Sequence, residues 1–137
     1  MRHIWLAAAL LLPISATAKD VPHVVVKPVV STTVTASGQP ITLPQKDVHL
    51  VVTTYDIAPG ANLPEHRHPF ARYAYVLSGT LRVTNTETGR SEVYKTGDFI
   101  VEAIGQWHRA ANVGRGPVRL VVIDQTEGDR GNTEIRH

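Results

Sequence analysis

The chain has 137 residues, 42% apolar and 19% charged, with a formal net charge of +2 at pH 7. That length holds one hydrophobic core rather than two, and so small a charge, on scattered arginines, argues against nucleic acid or an anionic membrane as partner. The sequence contains no Cys, so any metal site must be built from His, carboxylate, amide or water ligands.

Residues 1–18 differ in kind from the rest. Arg2 and His3 are followed by an almost wholly apolar run, Ile4 to Ile14, and then by Ala16-Thr17-Ala18. A polar start, an apolar stretch and a small-x-small site predict a secretory signal peptide cleaved after Ala18. The run is about 11 residues long and broken by Pro13, too short to span roughly 30 Å of hydrocarbon. The mature protein is therefore expected in the periplasm or secreted, with no membrane attachment after cleavage.

From Lys19 onward, short β-rich runs alternate with turn signals, and no stretch carries a helical stripe. Residues 19–47 read as an N-terminal strand segment, with β-rich Val24 to Val26 and Val29 to Val34 separated by Pro28. Val48 to Ile57 reads as a long strand, partly buried on both faces. Pro59-Gly60 ends it, and a polar loop leads to Glu65-His66-Arg67-His68-Pro69. Further strands are expected at Arg72 to Leu77, Leu81 to Thr84 and Glu92 to Tyr94, with a hairpin turn over 85–89. Phe99 to Val101 follows the Gly97-Asp98 turn, a strand opens near His108, and Val118 to Ile123 closes the set. Residues 48–124 thus predict an all-β barrel or sandwich. Residues 125–137 read as a loose polar tail.

Seven histidines are present. His3 leaves with the signal, His23 and His137 lie near the mature termini, and His49 opens a strand; these read as surface residues. His66 and His68, two apart in extended chain, point to one face and can meet a single ion at about 2.0–2.1 Å. His108 follows the Gly105-Gln106-Trp107 turn. Two spaced blocks enclose these three. One is Gly60, five residues, His66, one residue, His68, ten residues, Gly79. The other is Gly97, five residues, Ala103, Gly105, two residues, His108, three residues, Asn112.

These blocks resemble the two motifs of the cupin superfamily, over roughly residues 48 to 124. The resemblance implies a double-stranded β-helix, a jelly-roll-like barrel with a metal near one mouth. It implies His66, His68 and His108 as ligands, the glycines as turns, and Asn112 in its usual place. Ala103 stands where the family often has Pro. The larger departure is Arg72, four residues after His68, where the family carries a glutamate ligand. A guanidinium cannot ligate. Charges of +2 and +1 about 5 Å apart repel by roughly 6–7 kcal/mol at an effective dielectric near 20. Arg72 is therefore expected to pair with an acid, Glu65 or Glu102, or to clamp an acidic substrate against the metal, unless the site holds no metal.

Arg72 and Glu102 are the candidate catalytic residues, Glu102 as a base or as the partner of Arg72. Tyr73 and Tyr75 alternate with Arg72 and are expected to face outward, in packing or a subunit interface. Phe70 and Trp107 suit a pocket wall or the core. One divalent ion is expected: Fe for dioxygenase-like chemistry, Zn, Mn or Ni as a Lewis acid in an isomerase-like reaction, or Cu. The alternatives are a non-catalytic binding or sensing module for a small anionic ligand or metal, and a metal-free barrel serving a dimer interface. A homodimer is expected through an edge, with Val24 to Val34 the candidate segment.

Overall fold

The computed structural model describes residues 22–137. The signal segment expected over 1–18 lies outside the described residues. The architecture is all-β, in two antiparallel sheets, as the strand pattern predicts. The strands are β1 (Val48–Ile57), β2 (Asn62–Arg67), β3 (Arg72–Ser78), β4 (Thr80–Asn85), β5 (Ser91–Lys95), β6 (Phe99–Val101), β7 (His108–Asn112), β8 (Val118–Glu127) and β9 (Glu134–Ile135). One sheet has the order β1-β8-β3-β6 and the other β5-β4-β7-β2-β9.

Alternation sets the core. On β3 and β8, Ala74, Val76, Val118, Leu120 and Val122 point inward and are almost fully buried. They pack with Ile57, Leu81, Ile100 and Ala110 as one cluster between the sheets. Tyr73 and Tyr75 do face outward, half-buried, and the Tyr73 ring lies 6.2 Å from Phe99. Asn112 is buried, and its amide donates to the carbonyls of Ile57 and Gly116. It therefore ties the β7–β8 turn to the end of β1 and serves the barrel's closure.

Three sequence expectations change. Val24 to Val34 forms no strand among the described residues; only a bridge between Val34 and Pro40 is present. β1 is not buried on both faces: Val48, Leu50 and Val52 are 57%, 59% and 56% exposed. They lie on the outer side of an edge strand, and apolar composition alone cannot tell a covered face from an open one. The tail is not loose. β8 runs on to Glu127, and β9 adds a strand beside β2, with His66 opposite Ile135 and Arg67 opposite Glu134.

Gly79 ends β3 at φ +92°, and a Cβ there would lie 2.7 Å from the Pro117 carbonyl oxygen and 2.8 Å from the Val118 Cα. Both are backbone atoms that cannot swing away. Left-handed strain and overpacking together set the expected cost of Gly79→Ala at about 2–4 kcal/mol. Urea denaturation checks it; a change below about 0.5 kcal/mol, the ordinary surface range, contradicts this account.

Candidate metal centre

Four side chains converge at one end of the barrel. His66 comes from β2 and pairs across the strand with His108, the first residue of β7. A register shift between Leu63 and His66 re-aims the end of β2, as β-bulges do. His68 follows β2 and bridges Ile104, while its carbonyl accepts from the Gly105 amide at 2.8 Å. Glu102 follows β6, its amide bonded to the Arg72 carbonyl at 3.0 Å. The imidazole centroids lie 4.5–4.9 Å apart. One ligand atom from each of His66, His68, Glu102 and His108 falls within 4.8 Å of the others.

Each imidazole is held by a main-chain carbonyl. His66 Nδ1 lies 2.6 Å from Pro64 O, His68 Nδ1 2.6 Å from Asn132 O, and His108 Nδ1 2.9 Å from Gln106 O. A carbonyl can only accept, so each Nδ1 carries the hydrogen. In the neutral ring the lone pair then sits on Nε2, the atom a metal takes. Glu102 Oε2 is 2.9 Å from His68 Nε2 and 3.1 Å from His108 Nε2. Burial pushes the Glu102 carboxyl up, but hydrogen bonds from His108 and His68 outweigh it and hold the group well below the carboxylate range. Burial pulls the His108 imidazolium down, and its bond to Glu102 more than offsets this. His66 is depressed to about 4, chiefly by burial. Three oriented imidazoles and one ionised carboxylate suit a divalent first-row ion in the zinc-to-manganese range.

The structure thus brings His66, His68 and His108 together and adds Glu102 to them. It takes Arg72 elsewhere. Arg72 is 7% exposed, and its guanidinium is hydrogen-bonded to neither the Glu65 nor the Glu102 carboxylate. Its Nε and Nη2 donate to the two carboxylate oxygens of Asp124 at 2.7 and 2.8 Å, and Nη2 also donates to Thr133 Oγ1 at 3.1 Å. Burial pulls its charge down, but Asp124 more than restores it. Glu65 instead bonds Thr86 and Arg136. Sequence reasoning missed Asp124 because its role comes from register: it sits directly opposite Arg72 on β8. The same kind of pairing explains Glu102. Just past the end of β6 it neighbours Arg72 across the β3–β6 edge, which sets a carboxylate beside the three imidazoles although β3 offers none.

Phe70 and Trp107 hold arginines. Arg130 lies 5.0 Å from the Phe70 ring, and Arg67 and Arg136 lie 4.7 and 5.4 Å from that of Trp107. A small cavity of about 70 Å3, at the base of an open recess, opens onto Glu102 and His108. Its walls are largely apolar, from Val83, Ile100, Ala103 and Tyr94, with Arg90 among its polar groups. Burial and the bond to Glu92 push the Tyr94 phenol up, so it stays protonated and donates to Glu92 at 2.6 Å.

The cupin-domain family model matches residues 53–124. This is more than half of the chain, and the chain belongs to the cupin family. A curated relative, the tetracenomycin polyketide synthase protein TcmJ of Streptomyces glaucescens, is 38% identical over 68 residues, 48% of this chain. The match spans 44% of that relative's length. Among solved structures, a Klebsiella pneumoniae protein with a double-stranded β-helix domain matches at TM-score 0.54 and 26% identity, over 72% of this chain and 82% of that one. The polyketide cyclase RemF of Streptomyces resistomycificus matches in fold at TM-score 0.55 and 22% identity, over 68% of this chain and 65% of its own. Oxalate decarboxylase of Lactobacillus farciminis does so at 0.51 and 23%, over 63% of this chain and 26% of its own.

Proposed function

We propose that this cupin is an exported metalloprotein that binds one divalent ion through His66, His68, His108 and Glu102, and acts there on a small, partly apolar molecule. The observation that carries the reading is the donor set: three imidazoles each held at Nδ1 by a main-chain carbonyl, with a carboxylate against the Nε2 atoms of two of them and one ligand atom of all four within 4.8 Å of the others. Bound there, an ion supplies Lewis acidity toward an enolisable or acidic oxygen, or reactivity toward O2 if it is iron. The protein's own part is to orient the donors and wall the approach.

The ligand's class follows from the cavity. Its apolar walls suit a ring or a polyketide-like chain, and Arg90 can meet one anionic group. Arg72 is no substrate clamp in this reading, since Asp124 and Thr133 already take its donors. The relative TcmJ is a polyketide synthase protein, which supports an enolisable aromatic or diketone-like substrate. Arg2, His3, the apolar run and Ala16-Thr17-Ala18 support export to the periplasm or beyond. The exposed Val48, Leu50 and Val52 support a homodimer through that sheet face.

The test is metal content. Purified protein exposed in turn to Mn, Fe, Ni, Cu and Zn ions is expected to hold one equivalent of at least one of them, and His66→Ala and His108→Ala to hold none. Absence of stoichiometric uptake for every ion defeats the proposal. With metal bound, turnover of a β-diketone or an aromatic hydroxyacid marks an enzyme. A spectral change without turnover marks a binding module.

A further inference from the structure

The three imidazoles are not held alike. His66 and His108 are each oriented by a carbonyl two residues away on the same stretch of chain, Pro64 and Gln106. His68 is oriented by Asn132, 64 residues further on. One of three ligands therefore takes its direction from the C-terminal segment, and the other two are set by their own strands.

Asn132 is buried and fixed on three sides. Its Oδ1 accepts from the Phe70 amide at 2.8 Å, and its Nδ2 donates to Asp124 Oδ1 at 2.6 Å. Asp124 is the carboxylate that grips Arg72, and Arg72 also reaches Thr133. On the far side, β9 runs along β2, Arg67 bonds Glu134 at 2.6 Å, and the Arg136 amide bonds the Glu65 carbonyl at 2.9 Å. The Asn132 carbonyl is thus fixed against the barrel through a buried ion pair at the sequence position where the family motif has a ligand.

We infer that residues 129–137 are a working part of the metal centre, with Asn132 the positioning residue that sets the rotation and tautomer of His68, and the Arg72–Asp124 pair its anchor. The inference deepens the four-donor reading and rests on it. An Nδ1–H bonded to a fixed carbonyl holds the ring plane and leaves Nε2 as the donor. Losing such a partner costs about 10–100-fold in metal affinity. Without Asn132, His68 is free to rotate and to exchange its hydrogen between the two nitrogens, while His66 and His108 keep theirs.

Three chains decide it: the intact protein, a chain ending at Gly128, and Asn132→Ala, with Arg130→Ala as a control that loses only its contact with Phe70. The core cluster contains no residue beyond Val122, and circular dichroism with a thermal midpoint beside each measurement establishes that the shortened chain is folded; where it is not, the comparison of Asn132→Ala with the intact chain decides. In metal-free protein, nitrogen NMR of the imidazoles is expected to show three Nδ1–H rings in the intact chain. The shortened chain should lose this signature at His68 alone. Zn affinity is expected to fall about 10–100-fold, with a changed Co absorption spectrum, in the shortened chain and partway in Asn132→Ala. Arg130→Ala should leave both as they are. A His68 Nδ1–H unchanged in the shortened chain overturns the inference, as does Zn affinity kept within twofold. If the intact chain takes up no metal, the four-donor reading fails, while the NMR comparison still decides whether Asn132 directs His68.

Discussion

Glu102→Gln is expected to weaken metal binding by at least about 10–100-fold at pH 8, because a lost charged ligand costs no less than a lost ligand-orienting partner. The amide keeps the shape and removes the charge. The loss should also depend on pH. In the metal-free protein the Glu102 carboxylate raises the proton affinity of His108, so an incoming ion must displace a proton from that ring. Apparent affinity of the natural protein therefore falls as pH drops through the raised His108 value, by up to tenfold per unit for one displaced proton. In Glu102→Gln that raising influence is gone, and proton competition sets in only at lower pH. The gap between the two proteins should narrow from pH 8 toward pH 6. Isothermal titration in two buffers of different ionisation enthalpy measures both affinity and protons released. A variant that binds as tightly as the natural protein at pH 8 would mean that Glu102 is not a ligand and that the three histidines act alone.

The barrel could be read from the sequence because its signals are local. Alternating β-branched residues, glycine turns and the spacing of His66, His68 and His108 all lie within short windows. Strands such as Phe99–Val101 and Val118 onward begin where those windows place them. The pairings that complete the site are not local. Arg72 could be seen to need an acid, yet Asp124 is reached through strand register 52 residues away. Glu102 was visible as an acid near the motif, but its place beside His68 and His108 depends on how β6 lies against β3. The tail looked loose because Asp129, Arg130, Asn132 and Thr133 are polar. Arg130, Asn132 and Thr133 nonetheless meet particular partners on the barrel, the Phe70 ring, Asp124 and Arg72, and composition carries no trace of that. The exposed face of β1 is the converse case, an apolar run expected to be covered that no other described residue covers.

Asp124→Ala is expected to cost about 3–5 kcal/mol, since it strands a buried guanidinium with no counter-charge. Domains of this size have roughly 5–15 kcal/mol in total, so the variant should unfold at far lower urea than the natural protein. Arg72→Glu, which restores the family's residue at that position, should do no better: it sets two carboxylates against each other at the Arg72–Asp124 pairing, and like charges there favour unfolding. The double variant Arg72→Met with Asp124→Leu removes both charges at nearly constant volume. Replacing a buried ion pair by apolar side chains is commonly neutral or mildly stabilising, so much of the single-variant loss should return. The urea midpoints of the metal-free natural chain, Arg72→Met, Asp124→Leu and the double variant form a cycle that isolates the pair. If Arg72 instead pointed at the metal as an anion clamp, Asp124→Ala would cost no more than about 1 kcal/mol, the value of an ordinary hydrogen bond, and Arg72→Glu would tighten the ion. The bidentate geometry and the burial of both partners favour the first outcome. They make Arg72 part of the framework beside the three imidazoles, while the carboxylate nearest those rings is Glu102, just past the end of β6.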